Sequence, residues 1–145
     1  MRVICVTEPK YTSPIANKKS HIAFMPAVVI AAGIALSSLM ESSHMPMMMH
    51  ASDKVLHGAA YALLEIALMG AFLYLRCTRI DVYVLTGIVV MAYGALMEVL
   101  QYYCTVTRSA EWLDLLADFL GALVGMAVVV FIETMKSRYH ERKHP

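Results

Sequence analysis

Residues Ile22–Met40 read IAFMPAVVIAAGIALSSLM, 19 residues without a charge. At a helical rise of about 1.5 Å per residue such a run spans about 28 Å, close to the thickness of a bilayer's hydrocarbon core. A cleaved secretory signal is the competing reading, but the run exceeds the usual h-region of about 7 to 15 residues and no A-x-A site follows it. Working outward, Val55–Leu75, Val82–Tyr103 and Leu115–Ile132 read the same way once embedded polar residues are allowed. The sequence therefore predicts an all-α polytopic membrane protein, with four transmembrane helices in one bundle over residues 20–135. A polar N-terminal tail (residues 1–19) and a basic C-terminal tail (residues 136–145) flank it, and both are expected to be flexible.

Composition agrees. Of 145 residues, 59% are apolar and 16% charged, a balance that excludes disorder and does not suit an ordinary soluble domain. The formal net charge of +1 leaves no electrostatic footprint for nucleic acid. Cys5, Cys77 and Cys104 are far apart and in no C-x-x-C pair, so they form neither a disulfide framework nor a zinc finger and read as small buried apolar residues.

The basic residues set the orientation. Arg2, Lys10, Lys18 and Lys19 precede the first span, Arg76 and Arg79 lie in the middle loop, and Lys136, Arg138, Arg142 and Lys143 follow the last span. The other two loops hold only Lys54 and Arg108, so the positive-inside rule puts both termini in the cytoplasm. Loops 41–54 and 104–114 then face outward.

Ionisable groups inside a bilayer cost about 2.5 to 3.5 kcal/mol each on insertion scales, so their positions carry functional information. Asp53, His57 and Tyr61 recur at four-residue steps and share one helical stripe; Gly94, Glu98 and Gln101 share another. Glu111, Asp114, Asp118, Gly121 and Gly125 share a third, if the last helix begins near Ser109, and its small residues should point into the bundle. The rise per residue puts His57, Glu98 and Asp118 about 5 to 10 Å below the outer ends of their helices. Three segments thus bring polar groups to one depth, where Lys54 and Arg108 would pair with the carboxylates or attract an anion. Glu65 lies about 18 Å beyond Asp53, near mid-membrane, where a carboxyl must be neutral or paired across helices. Gly121-x-x-x-Gly125 has the form of a helix-contact motif. Trp112, Tyr102 and Tyr103 suit an outer aromatic belt.

No cofactor motif is present, and the sequence assigns no metal centre. The outer run His44, Met45, Pro46, Met47, Met48, Met49, His50 has the soft ligands copper(I) prefers, but it also reads as an interfacial apolar loop.

The pattern Asp53-Lys54-x-x-His57-x-x-x-Tyr61, Gly94-x-x-x-Glu98-x-x-Gln101 and Arg108-x-x-x-Trp112-x-Asp114-x-x-x-Asp118-x-x-Gly121-x-x-x-Gly125 resembles the VanZ-like family over about residues 36 to 128. Asp118 stands where that family often has Asn, and Glu65 where Gly or an apolar residue is expected. The resemblance implies a small bacterial plasma-membrane protein of the cell envelope, associated with lowered susceptibility to the lipoglycopeptide teicoplanin. It implies no catalytic reaction.

Three functions are open to such a chain. An outward polar pocket of Asp53, Lys54, His57, Tyr61, Glu98, Gln101, Arg108, Asp114 and Asp118 would bind an anionic envelope lipid or a lipid-linked cell-wall precursor, with the cations meeting the anionic oxygens. A membrane-embedded enzyme acting on a lipid-linked substrate would use His57, Glu98 or Asp118 as acid or base. A small proton-coupled exporter would use Glu65, although span two is apolar below it from Ile66 to Phe72.

Overall fold

The computed structural model describes residues 14–39, 50–75, 80–105 and 111–143, with side chains from residue 21 in the first segment and from residue 54 in the second. The segments form α1 (Pro14–Leu39), α2 (His50–Tyr74), α3 (Ile80–Cys104) and α4 (Trp112–Lys143). All four are long and apolar enough to cross a membrane. Val28, Val29, Leu36, Ile88, Val99, Val124 and Phe131 point away from the bundle, a surface suited to lipid tails rather than water. The chain is a multi-pass membrane protein.

In an up-and-down bundle drawn as a square, the parallel helices α2 and α4 sit on a diagonal and stay apart. Here they make the most extensive contact in the molecule, while α1 and α4 do not meet among the described residues. The cause is the stripe of small residues. A Cβ built on Gly121 would collide with the Gly58 carbonyl oxygen and stand 2.8 Å from its carbonyl carbon and Cα; one built on Gly125 would stand 2.5 Å from the Ala62 carbonyl oxygen. Lipid tails are as apolar as leucine, so close backbone approach, not exclusion from water, drives helix association. Helix α1 is tied on from the side: Tyr93 donates its hydroxyl to the Ala31 carbonyl at 2.6 Å, Gln101 Nε2 donates to the Ser38 carbonyl at 3.3 Å, and Phe24 meets Phe72 edge-on at 5.2 Å.

The structure corrects three expectations. Residues 136–143 are no flexible tail but the continuation of α4, whose 32 residues extend about 48 Å against about 30 Å of hydrocarbon. Lys136 bonds Glu133 at 2.8 Å, Lys143 lies 5.9 Å from the Tyr139 ring centre, and His140, Arg142 and Lys143 sit in the last turn, where the helix dipole favours cations. Residues 14–19, assigned to the N-terminal tail, already belong to α1. Cys104 is exposed at the end of α3 rather than buried, while Cys5 and Cys77 lie outside the described residues.

Four crossings put Pro14 and Lys143 on one side of the bilayer, the side that the positive-inside rule predicts to be cytoplasmic. A periplasmic-type reporter is therefore expected to be active when fused after Met48 and silent at the C-terminus. Activity at the C-terminus would invert the topology.

Candidate functional site

The N-terminal turns of α2 and α4 and the C-terminal turns of α3 meet at one end of the bundle. His57, Asp118 and Glu98 each sit about two turns, or about 10 Å, in from the ends of their helices at this face. The expected convergence is observed: each offers a nitrogen or oxygen, and these atoms lie within 4.8 Å of one another. His57 Nδ1 is 3.3 Å from Asp118 Oδ1. Asp118 is 1% exposed and Glu98 8%, so both carboxyl groups are enclosed by the bundle.

Each partner follows from local structure. Glu98 Oε2 accepts a hydrogen bond from the Glu111 backbone N–H at 3.0 Å, satisfying a donor that the start of α4 leaves without a helical acceptor. The Glu111 carbonyl in turn accepts from the N–H groups of Asp114 at 3.0 Å and Leu115 at 3.4 Å, so the helix begins at Trp112 rather than near Ser109. Lys54 donates to Glu111 Oε2 at 2.9 Å and to Asp114 Oδ1 at 2.6 Å, pinning the mouth of α2 to that of α4. Of the two roles open to Lys54, it takes the one that pairs carboxylates. Tyr61, 1% exposed, lies beside the triad: a Cβ on Gly94 would stand 3.2 Å from Tyr61 Cε1 and 3.0 Å from Asp118 Oδ2. Glycine lets α3 pack this closely on Tyr61 and Asp118.

Two candidates have other surroundings. Gln101 reaches α1 through its bond to Ser38, which gives it a part in seating that helix. Glu65, fully buried, accepts at Oε1 from the Thr86 hydroxyl at 2.7 Å, while its Oε2 has no hydrogen-bond partner. It stands apart from the triad as the mid-membrane acid its position predicts. Arg108 and the Met45, Met47, Met48 and Met49 loop with His44 lie outside the described residues, as do the side chains of His50 and Asp53. Trp112, Tyr102 and Tyr103 face outward at the same end as the polar cluster, as a belt requires.

Sequence reasoning places Glu111 only as part of a stripe and misses Thr86 and Gly58. A Gly58-x-x-x-Ala62 spacing in α2, matching Gly121-x-x-x-Gly125 in α4, is the signal that could have found Gly58. Nothing local marks Thr86, the one threonine of α3. Among the described side chains this end holds four carboxyl groups, Glu98, Glu111, Asp114 and Asp118, against one lysine and one imidazole. Such a set can bind a cation directly, orient a base through the contact of His57 with Asp118, or receive an anion through N–H donors. Comparison with family models, curated proteins and solved structures finds no match to this chain.

Proposed function

We propose that this chain is a VanZ-like integral membrane protein of the bacterial plasma membrane. In this reading the polar cluster at its outer end binds the phosphate-bearing head group of an anionic envelope lipid or lipid-linked cell-wall precursor, and so affects susceptibility to teicoplanin. The observation that carries it is the meeting of His57, Glu98 and Asp118 from three helices at one membrane depth. The motif residues behind the family resemblance include these three. A purely structural hydrogen-bond network needs no such concentration of charge, which is costly in a bilayer. Arg108→Ala tests the reading: the effect on teicoplanin susceptibility is expected to vanish while the folded amount in the membrane stays as in wild type. A fully active variant would reject it.

The contact of His57 with Asp118 favours one alternative, a membrane enzyme in which the carboxylate orients the imidazole as a base. Steady turnover of a lipid-linked phosphate substrate by the purified protein would establish it.

Glu65 separates binding from proton-coupled export. Glu65→Leu removes a carboxyl group with an unpartnered oxygen and installs a side chain suited to mid-membrane. Under the binding role the variant is expected to keep its effect on teicoplanin susceptibility, with a thermal midpoint in detergent equal to or above wild type. A well-folded but inactive Glu65→Leu protein would move the assignment to export.

A further inference from the structure

We infer that His57, Glu98 and Asp118 bind a single divalent metal ion of the zinc or manganese class, and that the ion's remaining coordination positions receive the phosphate oxygens of the head group. The second half rests on the head-group reading above; the first does not.

The donor set is one imidazole nitrogen with two carboxylate oxygens, all within 4.8 Å. Zinc takes such ligands at about 2.0 to 2.2 Å, which puts neighbouring ligand atoms about 3 to 4 Å apart. The 3.3 Å separation of His57 Nδ1 and Asp118 Oδ1 already lies in that range. Imidazole with carboxylate suits zinc, manganese or iron(II) rather than the softer copper(I), which separates this site from the methionine-rich loop. Three protein ligands leave positions open for another molecule, the arrangement of reactive rather than structural zinc sites.

A second observation concerns the surroundings. Asp118 is 1% exposed, and its Oδ1 meets His57 Nδ1. Its Oδ2 faces Gly94, where a methyl group would stand only 3.0 Å away, so glycine is what lets α3 bring Glu98 close to the carboxylate. Lys54, the described lysine nearest the mouth, is committed to Glu111 and Asp114. Two carboxyl groups are thus held together in a low-dielectric setting, with the lysine turned toward another pair. A divalent cation held by them turns an acid-rich cluster into one that attracts phosphate.

The test uses the full chain in detergent, stripped with EDTA and titrated by calorimetry with Zn²⁺ alone and with Mn²⁺ alone. Wild type is expected to bind one ion per chain and to gain thermal stability from it. Glu98→Gln and Asp118→Asn, which keep side-chain volume, are each expected to weaken binding at least about 100-fold. Glu133→Gln, at the opposite end of α4, should bind as wild type. Absence of stoichiometric binding in wild type, or binding that survives both substitutions, overturns the inference. Should either variant misfold, X-ray absorption of zinc-loaded wild type decides: an imidazole with oxygen ligands supports the site, and a sulfur-containing or imidazole-free shell rejects it. Nanodiscs with and without phosphatidylglycerol separate this inference from the head-group reading. Lipid binding that persists after EDTA with no metal uptake rejects the metal and keeps the head-group role; metal uptake with indifference to phosphatidylglycerol keeps the metal and rejects that role.

Discussion

Gly121→Leu is expected to leave little folded protein in the membrane. The first atom added to Gly121 already collides with the Gly58 carbonyl oxygen, and the Gly58 carbonyl carbon and Cα follow at 2.8 Å. These are backbone atoms of a packed helix, so no rotamer change makes room. Overpacking that side chains can relieve costs about 1 to 3 kcal/mol; relief here requires α2 and α4 to separate along their whole crossing, and the cost should exceed that range. Separation would also pull the Lys54 ammonium from Glu111 and Asp114 and His57 from Asp118, since each of those pairs ties α2 to α4 or to the residue just before it. Gly33→Ala and Gly70→Ala are the controls. Nothing lies within 4 Å of a Cβ at either position, and alanine is favoured over glycine in a helix by up to about 1 kcal/mol, so both should accumulate at or above wild-type level. Membrane abundance and the thermal midpoint in detergent measure all three. Wild-type behaviour of Gly121→Leu would mean that α2 and α4 do not cross at Gly58.

Asp118→Asn should produce the largest functional loss with the smallest structural change. Asparagine fills the same volume and can still accept a hydrogen bond at the position facing His57, but it carries no charge. A hydrogen bond to a charged carboxylate contributes about 1.5 to 3 kcal/mol, so losing the Asp118 charge loosens the hold on His57 and costs at least about 10-fold in affinity. Binding of a phosphate-bearing lipid is therefore expected to weaken by that factor, with the amount in the membrane nearly unchanged. Glu133→Gln provides the comparison on the same helix. Its partner Lys136 lies in an exposed pair with 65% and 37% of the two side chains accessible, where an ion pair contributes about 0 to 1 kcal/mol. It should be silent in every assay. If Asp118→Asn retained full activity, the triad would be a packing feature and the site would have to lie elsewhere.

The depth of each polar group is legible in the amino-acid sequence. Helical rise and bilayer thickness are nearly fixed, so counting residues from the ends of the apolar runs places His57, Glu98 and Asp118 at one level and Glu65 near the middle. The stripes are legible for the same reason, because residues four apart share a helix face. Helix length outside the hydrocarbon is not. Nothing in bilayer thickness stops α4 at Ile132, and the charged residues that follow are themselves good helix formers with a favourable dipole end.

What the sequence by itself determined is the number of spans, their order, and the height and face of His57, Glu98 and Asp118 along their own helices; all of these depend on distances measured within one helix. Only the tertiary structure decided which faces meet. Gly121-x-x-x-Gly125 is compatible with contact to any neighbour, or to a second copy, and it is the fold that sets Gly58 and Ala62 opposite it. Lys54 could have faced an anion rather than Glu111 and Asp114, Gln101 could have joined His57 rather than α1, and Glu65 gained Thr86 as a partner from another span. The physical reason is that a helix's rotation and its neighbours are set by packing between helices. In lipid that packing turns on a few small residues whose fit exists only when both surfaces are present, whereas rise and periodicity are properties of each helix alone.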